Sequence, residues 1–213
     1  MGLIKDKESL INEIKAMDIR DENVIDAIRK TKRELFVPDK LKDDSYKNYP
    51  LPIGYGQTIS QPYTVAYMIE LLNIKKGNKI LEIGTGSGYN AAVMSFLVGK
   101  KGFIYSVERI RRLCDFAKDN LKKAHINNVK IIHGDGYHGY NKEKPYDRII
   151  ITAGTPKIPN KLIEQLKDKG IMVAPISKFY GEEMTRIIKN NNKLKITTHG
   201  SFAFVPLKKH IER

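Results

Sequence analysis

The chain has 213 residues, of which 41% are hydrophobic, and it carries a formal net charge of +14 at pH 7. This composition excludes a disordered chain, and no apolar run reaches the ~18–20 residues of a membrane span. The single cysteine excludes an internal disulfide, and the N-terminus lacks a signal-peptide core, so we expect a cytoplasmic protein. The lysines are scattered without blocks of like charge, which favours a solvated surface over a nucleic-acid footprint.

The first third of the chain predicts helices and one long loop. Apolar residues recur at helical spacing over residues 9–17 and 21–30, which predicts two short amphipathic helices. Residues 39–59 are predicted as a loop because prolines and glycines interrupt them, and loops of this length tend to be functional. Ser60 is predicted as the N-cap of a third helix, which has a proline in its first turn and ends near Asn73.

The next stretch is predicted to bind a ligand. Residues 79–83 contain the apolar run of a buried strand, and residues 90–98 are helix-compatible. Between them, glycines occupy every second position: Gly84, Gly86 and Gly88. A dinucleotide fingerprint requires glycine where Tyr89 stands, and a P-loop requires a Gly-Lys-Ser/Thr run, so both patterns fail. An acidic residue, Glu82, followed by three alternating glycines resembles motif I of the class I S-adenosylmethionine (SAM) methyltransferases.

Strands and helices then alternate to the end of the chain. The predicted strands cover residues 103–107, 129–132, 146–152 and 170–176, the predicted helices residues 109–123 and 159–167, and closing strands residues 184–189, 195–198 and 202–205. This alternation predicts an α/β, doubly wound, Rossmann-like fold, with a mostly parallel sheet, helices on both faces and a short N-terminal helical extension. We expect a single domain over residues 1–213, in which residues 1–77 hold the N-terminal helices and a substrate loop, and residues 78–213 hold the core.

Two acidic residues fall at predicted strand ends, where ligands of such sheets bind. Glu108 lies 24 residues after Gly84, and it can either accept hydrogen bonds from ribose hydroxyls or cap the helix that follows. Asp135 can either accept a hydrogen bond from an adenine amino group or form an Asp-Gly turn.

Seven short segments, in order along the chain, carry a more specific pattern: Arg33-Glu34-x-Phe36-Val37-Pro38, LPIGYGQTISQP (51–62), LEIGTGSGY (81–89), SVER (106–109), GDG (134–136), PYD (145–147) and FVPL (204–207). Together they resemble the protein-L-isoaspartate O-methyltransferase family, and the GQTISQP run is the most specific of them. The sequence departs from the family pattern at Gly154, where the family more often has alanine.

This resemblance implies a protein-repair reaction. SAM would methylate the free α-carboxylate of L-isoaspartyl residues in damaged proteins and peptides, giving S-adenosylhomocysteine and an ester that collapses to a succinimide. It implies Ser60 as the main catalytic residue, with Thr58 assisting, and no metal. The implied cofactor contacts are Ile59, Tyr63, Glu82, Gly84, Thr85, Gly86, Ser87, Gly88, Asn90, Glu108, Arg109, Gly134, Asp135 and Gly136. We expect a monomer.

The implied chemistry needs no general base, because a carboxylate with a pKa of about 3.5 is already ionised at neutral pH. Hydroxyls and free N–H groups at a helix N-terminus can hold such an anion, which suits Thr58 and Ser60. The alternative for Ser60 is that it only caps its helix.

Two alternative functions differ in substrate or activity. A nucleic-acid amino-methyltransferase places Asn/Asp-Pro-Pro-Tyr/Phe after the fourth strand, where residues 152–156 read Thr-Ala-Gly-Thr-Pro. A cytosine C5 enzyme needs a loop cysteine, whereas Cys114 lies in a predicted helix.

A non-catalytic SAM-binding or RNA-binding module would use the positive charge, but the intact segment around Ser60 argues against it. We therefore do not expect a nucleic-acid partner.

Overall fold

The computed structural model of the chain describes residues 2–191 and 193–212, with side chains from residue 6 onward. It opens on two helices, α1 (Gly2–Ala16) and α2 (Glu22–Lys30), which confirm the two predicted helices, although α1 begins seven residues earlier than expected. The Asp21 side chain caps α2 by accepting a hydrogen bond from the Asn23 N–H. Within the described residues, no helix combines the length and the apolar character needed to cross a membrane.

The prediction of a loop over residues 39–59 is wrong. A 3-10 turn (Asp39–Asp44) is followed by an antiparallel hairpin of β1 (Leu51–Gly54) and β2 (Gln57–Ile59). Three side chains bury one face of this hairpin: Leu51, Ile53 and Ile59. Their alternation runs over too few residues to stand out, and the proline and glycines within it are more typical of loops.

The predicted N-cap of the third helix is also wrong. Helix α3 covers Pro62–Leu72, and its N-cap is Gln61, whose side chain makes no capping hydrogen bond. Instead, the Asn48 side-chain oxygen accepts a hydrogen bond from the Tyr63 backbone N–H at 3.0 Å. The proline fixes the first helical position, so Ser60 lies one residue too early to cap the helix.

The rest of the chain forms a seven-stranded sheet flanked by helices. In chain order the elements are β3 (Lys79–Ile83), α4 (Tyr89–Val98), β4 (Phe103–Glu108), α5 (Arg111–Lys123), β5 (Val129–His133), β6 (Tyr146–Ile151), α6 (Asn160–Gln165), β7 (Leu166–Lys178), β8 (Gly181–Asn190) and β9 (Lys193–Phe202). The strand order is β5-β4-β3-β6-β7-β8-β9, parallel from β5 to β7 and antiparallel for β8 and β9. This order confirms the predicted mostly parallel, doubly wound fold.

Three predicted boundaries near the C-terminus change. Helix α6 is shorter than predicted because Leu166 already opens β7. The predicted closing strands 184–189 and 195–198 lie inside the longer β8 and β9. Residues 203–205 are not a strand, because the backbone there leaves β9 and turns toward Gly154, whose N–H donates to the Val205 carbonyl at 2.8 Å.

Apolar side chains form one core on each face of the sheet. Ile80 and Ile150 belong to the core that also contains α1 to α4. Leu81 and Ile149 belong to the second core, with Leu162 of α6. Successive residues of one strand point to opposite faces, so β3 and β6 are buried on both sides. The helices therefore cover the faces and leave the carboxyl ends of the strands open at one edge.

A buried acid lies at the end of β3, just before the glycine turn. Glu82 is fully buried, and its carboxylate accepts hydrogen bonds from Asn90 Nδ2 at 2.7 Å and from the Ser106 hydroxyl. Ser106 Oγ also lies 2.6 Å from Thr85 Oγ1, so the network joins β3, β4 and the first turn of α4. Burial raises the pKa of Glu82 to about 7, although the hydrogen bonds from Ser106 and Asn90 oppose the shift.

Replacing Glu82 by glutamine is expected to remove a pH dependence of stability. The folded chain raises the pKa of Glu82 from 4.5 to about 7. Folding therefore favours the protonated acid, and this contribution is complete below the lower value and is lost as the pH rises through about 7. Relative to Glu82→Gln, the free energy of unfolding of the wild type should fall by up to about 3 kcal/mol between about pH 4.5 and pH 8.

Denaturant unfolding at several pH values measures this difference. Glu164→Gln, at an exposed position of α6, is the matched control and should follow the wild type. If the stability of Glu82→Gln changes with pH in parallel with the wild type, the pKa of Glu82 is not raised in the folded chain.

Candidate active site

The turn from β3 into α4 requires glycine at two positions. Gly84 has a φ of 95°, and a Cβ there would collide with the Thr152 hydroxyl, which donates a hydrogen bond to the Gly84 carbonyl at 2.7 Å. Gly88 has a φ of 86° at the N-cap of α4, where a Cβ would lie 3.3 Å from Ala117 of α5. The turn is thus held between α5 and the end of β6, and its backbone is open to close approach by a ligand.

Two adjoining cavities lie at the carboxyl edge of the sheet. The first is an open cleft of about 600 Å³ between the glycine turn, β2 and the first two turns of α3. The second, of about 440 Å³, lies between the end of β4 and the C-terminal residues 206–208. They share four residues and form one continuous site: Gln57, Gly84, Glu108 and Ala153.

Glu108 stands at the junction of the two cavities. It is only 6% exposed, and its Oε2 accepts a hydrogen bond from the Gly86 N–H at 3.0 Å. Its Oε1 accepts one from the Ile110 N–H at 3.0 Å, so Glu108 also binds the backbone at the start of α5. Each carboxylate oxygen keeps a lone pair, so Glu108 can accept further hydrogen bonds from a ligand.

The second acid at a strand end is arranged differently. Asp135 Oδ1 accepts a hydrogen bond from the Tyr137 N–H, and Oδ2 accepts one from the His210 N–H, both at 2.9 Å. Asp135 lies outside both cavities, as does Gly134, whereas Gly136 lines the second. Asp135 therefore forms the predicted Asp-Gly turn, and because each of its oxygens keeps a lone pair, as in Glu108, the adenine contact stays a prediction.

The segment after β2 forms one wall of the first cavity. Thr58 is exposed, and Ser60 is half-buried. Because Ser60 does not cap α3, its hydroxyl is left available to a ligand. The polar groups of the cleft are hydroxyls, amides and one carboxylate. In the described parts of the chain, no group of three or more His, Cys, Asp or Glu side chains is placed to hold a metal ion.

The remaining predicted contacts divide between the cavities and the protein interior. The first cavity is lined by Ile59, Gly84, Thr85, Gly86, Ser87 and Asn90, and the second by Arg109. Three predicted contacts lie outside both cavities: Tyr63, Glu82 and Gly88. The Tyr63 ring stacks with Tyr67 and Phe202, at 5.8 and 6.5 Å between centroids, and Glu82 lies below the turn. A direct cofactor contact from these residues stays a prediction.

Sequence reasoning missed several residues that line the cavities: Gln57, Val65, Met68, Thr152, Ala153, Val205 and residues 206–208. Thr152 and Ala153 follow β6, and the rule that ligands bind at strand ends was the signal that could have found them. The C-terminal residues carry no local signal of a binding site, although 204–207 is one of the segments that resemble the family. They reach the site because Gly154 exchanges backbone hydrogen bonds with Val205 and Leu207, at 2.8 and 2.7 Å.

Comparison with known proteins identifies the family. A sequence profile of the protein-L-isoaspartate (D-aspartate) O-methyltransferases matches residues 5–212. The protein-L-isoaspartate O-methyltransferase of Methanopyrus kandleri is 47% identical over 204 residues, which cover 94% of this chain and 90% of the relative. A solved protein-L-isoaspartate O-methyltransferase gives a TM-score of 0.87 at 32% identity, covering 96% of this chain and 67% of the other. A Plasmodium falciparum protein assigned to the same family, solved with S-adenosyl-L-homocysteine, gives 0.85 at 26% identity, covering 95% and 98%. The chain therefore belongs to the protein-L-isoaspartate O-methyltransferase family.

Proposed function

We propose that this chain transfers a methyl group from SAM to the free α-carboxylate of L-isoaspartyl residues in damaged proteins and peptides, with S-adenosylhomocysteine as the other product. The observation that carries the proposal is the continuous cleft in which the glycine turn and Glu108 face residues 58–60. Family membership supports the same activity, because the M. kandleri relative carries that name and the P. falciparum structure contains S-adenosyl-L-homocysteine.

The groups that line the cleft fit SAM. Glu108 has lone pairs free for two ribose hydroxyls. Asn90 lines the first cavity, and its Nδ2 donates to Glu82 at 2.7 Å, which fixes the side chain beside the space for the amino-acid end of the ligand. Val107 and Ile110 line the second cavity and offer apolar contacts to a flat adenine ring.

The chain's own residues have two tasks in this reaction, which are to orient the acceptor and to exclude water. SAM, when bound, supplies an electrophilic methyl group on its sulfonium. The acceptor carboxylate has an ordinary pKa of about 3.5 and arrives ionised, so no residue has to remove a proton. The Ser60 hydroxyl donates to one carboxylate oxygen and orients the other, with Thr58 assisting. Val65 and Met68, on the wall of the same cavity, exclude water from the reacting groups.

The main contribution of the protein is to orient the two reactants, so the two walls of the cleft must stay at a fixed distance from each other. In this proposal residues 1–77 supply the substrate-facing wall, and residues 78–213 the cofactor-facing wall, of one catalytic domain. The walls meet where Ile53 of β1 packs on the glycine turn, 3.4 Å from the position of a Cβ added to Gly86. This contact ties the methyl acceptor segment to the donor segment.

Substrate choice is the most direct test. An isoaspartyl linkage runs the chain through the side chain and leaves the α-carboxylate as the branch, whereas a normal aspartyl residue carries its carboxylate one carbon further out. Ser60 can place only one of these geometries, and a misplacement of about 1 Å costs on the order of a hundredfold in rate. We expect methylation of isoaspartyl peptides of varied sequence, and roughly a hundredfold less of the matched aspartyl peptides.

Transfer of label from SAM measures both peptides, with RNA as a third acceptor. The charge of +14 should only help acidic peptides to arrive, so added salt should lower their capture modestly and leave the preference unchanged. Equal methylation of the two peptides, or comparable transfer to RNA, would contradict the proposed function.

Removing the Ser60 hydroxyl should separate catalysis from stability. Ser60→Ala is expected to lower turnover of the isoaspartyl peptide by roughly ten- to a hundredfold, because a hydrogen bond to a charged group contributes about 1.5–3 kcal/mol. Since Ser60 does not cap α3, the free energy of unfolding should change by less than about 0.5 kcal/mol.

Steady-state kinetics, calorimetry with S-adenosylhomocysteine and denaturant unfolding give the three readouts. Ser201→Ala, at an exposed position of β9, is the matched control and should leave all three unchanged. Full turnover by a folded Ser60→Ala variant would remove Ser60 from the reaction.

A further inference from the structure

Arg33 is a charged side chain buried without a neutralising partner. It lies in a 3-10 turn (Arg33–Leu35), has no exposed surface, and makes no hydrogen bond through Nε, Nη1 or Nη2 within the described residues. The carboxylate next to it in sequence, Glu34, instead accepts a hydrogen bond from the Tyr46 hydroxyl. Burial lowers the pKa of Arg33 to about 10, with Tyr89 opposing the shift, so the guanidinium is still charged at neutral pH.

The guanidinium lies behind the wall of the first cavity. It sits over the Tyr89 ring, 4.8 Å from the centroid, and Tyr89 is both the first residue of α4 and a lining residue of that cavity. Phe36 packs edge-on against the same ring, at 5.7 Å between centroids. About the width of one side chain therefore separates the charge from a bound ligand.

Packing alone does not account for a charge at this position. A buried arginine loses its hydration, and replacing buried charges by apolar side chains of similar volume is often neutral or stabilising. The contact with the face of Tyr89 recovers only part of that loss. Residues that oppose the stability of the fold concentrate at functional sites, and Arg33 contacts a wall of the candidate site.

We propose that Arg33 is an electrostatic residue of the cofactor site, whose charge favours binding of the carboxylate at the amino-acid end of SAM. The inference rests on the proposed function. Adenine suits the second cavity and ribose suits Glu108. The amino-acid end of the ligand is therefore directed toward Tyr89 and Asn90, next to Arg33. The N-terminus of α4 contributes a field of the same sign.

The expected size of the effect follows from Coulomb's law. At roughly 9 Å and an effective dielectric constant of about 20, one positive charge changes the affinity for an anion by roughly twentyfold, and salt at the open cleft reduces this toward roughly tenfold. A role in packing alone would instead weaken every ligand that touches Tyr89, whether or not the ligand carries a carboxylate.

A pair of ligands separates these two roles. Calorimetry measures the affinity of S-adenosylhomocysteine and of its decarboxylated analogue, S-adenosyl-3-thiopropylamine, for the wild type and three variants. Arg33→Met should reduce the preference for the carboxylate-bearing ligand by roughly tenfold, and Arg33→Lys should keep most of it. Phe36→Leu disturbs the same ring without a change of charge, and should weaken both ligands alike.

Each outcome bears on one proposal. An equal loss for both ligands in Arg33→Met, or an unchanged preference, would overturn the electrostatic role of Arg33. If Arg33→Met does not fold, Arg33→Gln provides the same neutral comparison. A wild-type chain that binds neither ligand would overturn the proposed function. If the wild type and the neutral variants prefer S-adenosylhomocysteine over the decarboxylated analogue by the same factor, only the inference about Arg33 is overturned.

Discussion

The close approach of three elements to the glycine turn is the constraint on which the site depends. Thr152 at the end of β6, Ala117 of α5 and Ile53 of β1 all lie within contact of a position where a Cβ would stand. These residues come from distant parts of the chain, so the turn takes its shape only when the sheet, α5 and the hairpin have assembled. The side of the cleft at the glycine turn is consequently formed from backbone, and a ligand can approach its N–H groups directly.

The sheet was predictable because its signals are local and repeated. The apolar run in β3 predicts a buried strand, and the alternation of strands with helices predicts a parallel sheet. Such a sheet places the ends of β3, β4 and β6 at one edge. Glu108 could therefore be assigned to the site from its distance along the chain alone. The hairpin was missed because β2 has only three residues, and the tertiary contact of Ile53 with the turn stabilises strands that their own sequence does not favour.

The parts of the site that could not be predicted depend on contacts between residues far apart in sequence. Asp135 was recognised from its Asp-Gly turn, but its hydrogen bond from the His210 N–H, 75 residues away, could not be predicted from the local sequence. Ser60 has the residue type of an N-cap but lies one residue before Gln61, and the Asn48 side chain accepts the hydrogen bond from the Tyr63 N–H. In both cases the local motif was recognised, and a group far away in sequence makes a contact that the local sequence does not indicate.

At the first turn of α4, the fold buries ionisable groups beside the site, and this burial lowers the free energy of unfolding. The first two residues of α4, Tyr89 and Asn90, contact buried ionisable groups of opposite type, Arg33 on one side and Glu82 on the other. Burial lowers the pKa of Arg33 and raises the pKa of Glu82, and both shifts favour the neutral form. The charged form of either group therefore does not stabilise the fold. The proposed methyl transfer moves no proton, and these groups do not need to titrate during it. Arg33 supplies a positive field that water screens only weakly because the group is buried, and the hydrogen bond to Glu82 fixes the position of Asn90.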